Sequence, residues 1–125
     1  MPARLNIRFV DSLNAVPAAA WDALETNGNP FLRHAFLRAL EETGCVGGRS
    51  GWHGQHLLIE QDGRLLAAAP VYAKDHSYGE YVFDWAWANA YQRAGLRYYP
   101  KLVVAVPFTP VTGPRLLIAP GADEV

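Results

Sequence analysis

Apolar and polar residues alternate from the start of the chain. Leu5-Asn6-Ile7-Arg8-Phe9-Val10 predicts a half-buried strand. Pro17 opens a short helix, Ala18 to Leu24, that places Trp21 and Leu24 three apart on one face. Thr26-Asn27-Gly28-Asn29 breaks the pattern. A second helix follows, with Asn29 as N-cap and Pro30 at its first position. Leu32, Ala35, Phe36, Ala39 and Leu40 recur at helical spacing and define its expected buried face, while Gly44 is a natural C-terminal cap.

Beyond the flexible Gly47-Gly48-Arg49-Ser50-Gly51 loop, the period changes to two. Gln55 to Gln61 and Arg64 to Tyr72 read as strands, and Asp62-Gly63 between them signals a two-residue hairpin turn. Lys74 to Gly79 is polar and loop-like. Phe83 to Ala94 returns to helical spacing, with Phe83, Ala86, Trp87, Ala90, Tyr91 and Ala94 on an apolar face. Asp84, Trp85, Ala88, Asn89, Gln92 and Arg93 share the other face, and Gly95 ends the helix. Lys101 to Val106 contains Leu-Val-Val-Ala-Val, a continuous apolar run that fits a central strand buried on both sides. A proline-rich loop, Pro107 to Pro114, leads to a last short strand, Leu116 to Ala119.

The order strand–two helices–β-hairpin–helix–strand predicts a mixed α/β domain with a mainly antiparallel sheet. A chain of 125 residues, 50% of them hydrophobic, suits one domain with its own core. The net charge of -1 and the lack of a basic run argue against DNA binding driven by phosphate neutralisation. No apolar run approaches the roughly 20 residues that span a bilayer, and the Met-Pro-Ala-Arg start lacks a signal-peptide core. A cytoplasmic location is therefore expected.

The candidate chemistry is sparse outside the aromatic-rich region from residue 72 to 99. Cys45, the one cysteine, follows a helix C-terminus, the wrong end to stabilise a thiolate, and is expected to be buried and inert. His34, His53, His56 and His76 have no zinc-type spacing and read as ordinary surface or strand histidines. No metal is expected. Gln92-Arg93-Ala94-Gly95-Leu96-Arg97 partly echoes a coenzyme A pyrophosphate loop. It closes a helix, whereas a phosphate cradle must open one.

Two segments remain. Trp85, among Asp84, Asn89 and Gln92, suggests either a ligand pocket or a second packing face. Thr109, Thr112 and Arg115 follow the presumed central strand, where α/β sheets hold ligands, and Arg115 offers an anion fork.

The run from Glu80 to Tyr91, Glu-Tyr-Val-Phe-Asp-Trp-Ala-Trp-Ala-Asn-Ala-Tyr, resembles the FemAB-like family of bacterial N-acyltransferases. So do Tyr98-Tyr99-Pro100-Lys101-Leu102, Val106 to Arg115, Pro30-Phe31-Leu32 and Pro70-Val71-Tyr72. The resemblance implies a half domain of GNAT-like fold, and an N-terminal part of a longer chain whose missing C-terminal half completes the site. It implies transfer of an acyl or aminoacyl group to a small-molecule or peptide-like amine, with acyl-CoA or aminoacyl-tRNA as co-substrate and no tightly bound cofactor. In such a site Asp84 would be the base or amine anchor. Thr109, Thr112 and Arg115 would hold a carbonyl or an anionic group, and Trp85, Tyr98 and Tyr99 would form apolar walls. Taken alone, such a half is expected to be inactive and to self-associate. The alternative is a non-catalytic binding or interaction module that uses the aromatic-polar face of helix 83–94.

Overall fold

A bent hairpin organises the strands of this chain. The structure, a computed structural model, describes residues 4–78, 84–109 and 113–122. The Asp62-Gly63 turn forms as expected, both residues taking positive φ (51° and 78°), the geometry that favours a Gly and tolerates an Asp. Each arm of the hairpin is interrupted once. On one side β2 (Trp52–Gly54) gives way to β3 (His56–Gln61), and on the other β4 (Arg64–Ala69) gives way to β5 (Val71–Lys74). Pro70 marks the second break because a proline has no N–H for a ladder.

The interruptions divide the hairpin between two antiparallel sheets. One has the order β1-β3-β4-β7, with β1 at Asn6–Val10 and β7 at Leu117–Ile118. The other has the order β2-β5-β6, with β6 at Lys101–Val104. The mixed α/β class therefore holds.

Two strand expectations need correction. β1 is an edge strand, and Leu5, Ile7 and Phe9 remain exposed instead of half-buried. β6 is also an edge strand, with Leu102 and Val104 exposed. Both sequences carry enough apolar residues for burial, but no element among the described residues lies over them.

The helices cover the inner face of the first sheet. α1 (Ala18–Asp22) sends Trp21 into the core at 0% exposure, where its indole Nε1 donates to Leu32 O at 2.9 Å. Leu13, Leu24, Leu32, Leu37, Leu58 and Leu117 complete that core.

The Asn29-Pro30 start is real but brief. Asn29 Oδ1 accepts from Phe31 N at 3.0 Å and caps a 3₁₀ turn over Pro30–Leu32, after which Arg33 is extended. α2 then begins afresh at His34–Glu42. Asp22 Oδ1, reaching from α1, accepts from His34 N at 2.9 Å in place of a local cap. The restart rotates the helix. Its buried residues are His34 and Leu37, whereas Ala35 and Ala39, expected inside, face out. Gly44 does end α2, at φ 77°.

His53 and His56 stand in strands as expected, but two burial expectations are corrected. His34 and His56 are buried, and His34 Nε2 bonds Leu13 O at 2.7 Å. Cys45 is exposed beside Thr43 Oγ1, at 3.3 Å. It stands past the Gly44 turn, beyond the face that packs.

Candidate functional site

The polar cluster of this chain grows from one register pair. Lys74, last residue of β5, stands opposite Lys101, first residue of β6. Trp52 of β2 stands opposite Lys74 on its other side. Trp52, Lys74 and Lys101 thus form one row across the second sheet.

The ammonium groups are handled differently. Lys74 is fully buried, its Nζ lies 4.0 Å above the Trp52 ring, and it donates to Tyr78 O. That combines a cation–π contact with a backbone acceptor. Lys101 Nζ donates to Ser77 Oγ at 3.0 Å and to Asp84 Oδ2.

Asp84 sits at the N-cap of α3 (Trp85–Arg93), yet its side chain caps nothing. An Asp there normally accepts from the first turn. This carboxylate instead binds Lys101 and Tyr98, whose hydroxyl donates to Oδ2 at 2.6 Å. Oδ1 is buried and has no hydrogen-bond partner among the described residues.

Burial alone would raise the Asp84 pKa, but hydrogen bonds from Lys101, Ser77 and Tyr98 and the charge of Lys101 outweigh it and hold it at about 2. The hydrogen bond to Asp84, with burial second, pushes the Tyr98 phenol up to about 12. Asp84 is therefore a fixed anion and Tyr98 a fixed donor at neutral pH. A second hydroxyl pair, Ser77 Oγ and Tyr99 OH at 2.6 Å, closes the ring of contacts.

Aromatic rings frame this cluster. Tyr98 meets Tyr99 edge-on at 5.1 Å and Tyr91 at 5.0 Å. Trp85 meets Tyr78 at 5.3 Å. Phe108 holds a left-handed backbone, φ 63°, and sets its ring 5.0 Å from Trp52. Such a conformation is strained for a non-glycine residue and persists only where surrounding contacts enforce it.

The structure thus brings together Asp84, Tyr98 and Tyr99, and places Trp85 beside them against Tyr78. Asn89 is exposed on α3, away from the cluster's hydrogen bonds. Thr109 is half-buried next to Phe108. Thr112 lies outside the described residues. Arg115 is exposed and turns back on its own loop, donating to Gly113 O at 3.2 Å.

The expected apolar face of α3 is not buried. None of the helix is, and Trp87 is 67% exposed. The positions that are half-buried, Asp84 and Ala88, belong to the face expected to be polar, and no described element packs on the apolar one. Phe83, its expected first member, lies outside the described residues.

Sequence reasoning missed Lys74, Lys101 and Ser77. Two lysines in neighbouring strands carry no local signal, because only the pairing register makes them adjacent. The sole hint was Lys101 inside an otherwise apolar strand.

Comparison with known proteins gives one family. The model described as FemAB-like, peptidoglycan biosynthesis/recognition, matches residues 12–125. No curated protein and no solved structure matches the chain.

Proposed function

This chain belongs to the FemAB-like family of peptidoglycan biosynthesis or recognition, and we propose that it takes part in moving an acyl or aminoacyl group onto a peptide-like amine. The observation that carries this reading is the Asp84 carboxylate, held ionised by Lys101 and Tyr98 with Oδ1 buried and unpartnered among the described residues. A buried carboxylate oxygen without a donor is suited to an incoming ammonium or amine.

The same properties favour one of the two roles considered for Asp84. A carboxylate held at about 2 is a weak proton acceptor, which supports reading Asp84 as an anchor for the amine in preference to a base. In the proposed transfer the amine nitrogen bonds to the acyl carbonyl carbon. The bond to the donor's thiol or ribose oxygen breaks, and the amine proton leaves with that group or with solvent. Lys101 supplies positive charge beside the anchor, where a developing oxyanion would gain most, and Tyr98 spends its hydroxyl proton on holding Asp84. Acyl-CoA and aminoacyl-tRNA are the two donor classes that this reading puts to the test.

The test is turnover by the intact protein with each donor and a peptide amine. Asp84→Asn should raise KM for the amine, and Lys101→Met should lower kcat by roughly a hundredfold or more, the usual effect of removing one oxyanion partner. Full turnover in the double variant would sink the reading.

A recognition role without turnover is the second reading. Tyr78, Trp85, Trp87 and Tyr91 are exposed on and beside α3, and the Tyr78–Trp85 pair suits stacking against sugar rings or peptide. Binding of a peptidoglycan fragment that Trp85→Ala abolishes, with no product from any donor, would favour it.

A further inference from the structure

A cavity lies apart from the Asp84 cluster, between the C-terminal end of α2, the glycine-rich loop and the β2–β5 pair. It measures about 410 Å³ and is lined by Asp11, Arg38, Glu41, Arg49, Gly54 and Tyr72, with the glycine loop forming one wall. Gly54 and Tyr72 are register partners, so the absence of a side chain at 54 leaves the ring of Tyr72 as the cavity floor.

Two buried groups lack partners among the described residues: Tyr72, which lines the cavity, and His56, whose Nε2 lies just behind Gly54. Tyr72 and His56 are both 0% exposed, and among the described residues neither Tyr72 OH nor His56 Nε2 has a hydrogen-bond partner. Their rings meet edge-on at 5.0 Å. His56 Nδ1 accepts from Val71 N at 3.3 Å, which places the ring proton on Nε2. That N–H faces Glu41 Oε2 at 3.7 Å, too far for a hydrogen bond. Glu41 is already engaged by Ser12 Oγ at 2.7 Å and Leu13 N at 2.9 Å. Burial of polar groups without partners is unfavourable, and native folds tolerate it mainly where another molecule supplies the partner.

The charges of the lining narrow that molecule. Arg49 is exposed and forms no ion pair among the described residues, so it is open to a carboxylate. Arg38 is shared between Glu41 and Glu42, both at 3.6 Å. Asp11 stands exposed on the same rim and can take an amine. The floor needs an uncharged acceptor, since a second carboxylate there would meet Glu41.

We propose that this cavity binds a small peptide-type zwitterion, with an amide carbonyl toward Tyr72 OH and His56 Nε2, its carboxylate on Arg49 and its amine toward Asp11. The proposal does not depend on the Asp84 reading. Trp52 connects the two places, its ring touching Tyr72 at 5.4 Å on one side and Lys74 Nζ at 4.0 Å on the other.

Glycylglycine is the probe, with acetate and ethylamine as single-charge controls. Amide chemical shifts of the chain are followed during titration, and thermal melts are run on every variant. Glycylglycine should saturate and perturb Gly47, Gly48 and Gly54, while the controls should not. Tyr72→Phe removes one oxygen from an unpaired position. It should melt no lower than the parent and bind at least tenfold more weakly. Arg49→Ala, at an exposed position, should do the same. No saturable shift, or binding unchanged in both variants with intact melts, would overturn the proposal.

Discussion

Lys74 and Lys101 face each other across the β5–β6 ladder, and the protein stabilises both cations without pairing either with the other. Like charges directly opposite in a sheet normally disfavour pairing. Here Lys74 turns onto Trp52 and Tyr78 O, and Lys101 turns onto Asp84 and Ser77. The row persists because each ammonium has its own partners.

Asp84 should make stability depend on acid in a defined window. Its folded pKa is lowered to about 2, so its contribution is full above the unfolded value near 4 and is lost as pH falls toward 2. The side chains of Asp84 and Lys101 are only 16% and 13% exposed. The expected loss is about 1–2 kcal/mol, allowing for solvent screening. Urea midpoints measured from pH 5 to pH 2 should show this slope in the parent. Asp84→Asn should lose the slope and should also be less stable at pH 7, because Lys101 and Tyr98 lose their acceptor.

His56 should titrate late. Burial lowers its pKa to about 4 against the opposing pull of Glu41 and Asp11. The unfolded chain therefore binds the proton first as pH falls. Stability is full above about 6.5 and declines toward 4, by about 3 kcal/mol at most. An NMR titration of the imidazole protons should leave the His56 signals unmoved through pH 6. Movement with a midpoint near the ordinary value would contradict the buried, neutral ring.

Two tryptophans should differ sharply. Trp21 is fully buried with its N–H bonded to Leu32 O, whereas Trp87 is mostly exposed. Trp21→Ala should cost roughly 3–5 kcal/mol, and Trp87→Ala no more than about 0.5 kcal/mol. Chemical denaturation of both variants checks this. Equal losses would mean that α3 packs more tightly than its exposure indicates.

Gly54 should resist even one added carbon. A Cβ there would collide with the Asp11 carbonyl oxygen and approach His56 Nε2 to 3.2 Å. Backbone on one side and a buried ring on the other leave little room to relax. Gly54→Ala should cost about 1–3 kcal/mol. Gly63→Ala should show a smaller loss, arising from its positive φ alone, because nothing lies within 4 Å of that site. A melt of Gly54→Ala at the parental temperature would show that β2 and the Asp11 segment are not in close contact.

The sequence by itself determined the local elements. Asp62-Gly63 dictated its turn because few residue pairs accept positive φ twice. The spacing of Trp21 and Leu24 set the inward face of α1, since helical geometry links residues three apart. Asn29 and Pro30 marked a helical start, and Asp84, Tyr98 and Tyr99 were legible as polar and aromatic residues within a family-like run. Tertiary structure alone decided what covers each element and which distant side chains meet. Leu102 and Val104 have the apolar character of a central strand, but sheet order left β6 at an edge. Arg33 broke the second helix, and the restart at His34, held by Asp22 from α1, carried His34 and Leu37 inward. Lys74 met Lys101 only through strand register, and Glu41, His56 and Tyr72 came together only when α2 settled over the bent hairpin. Local periodicity encodes one element's own geometry, whereas register and layer order depend on the free energy of the whole chain, which no short window contains.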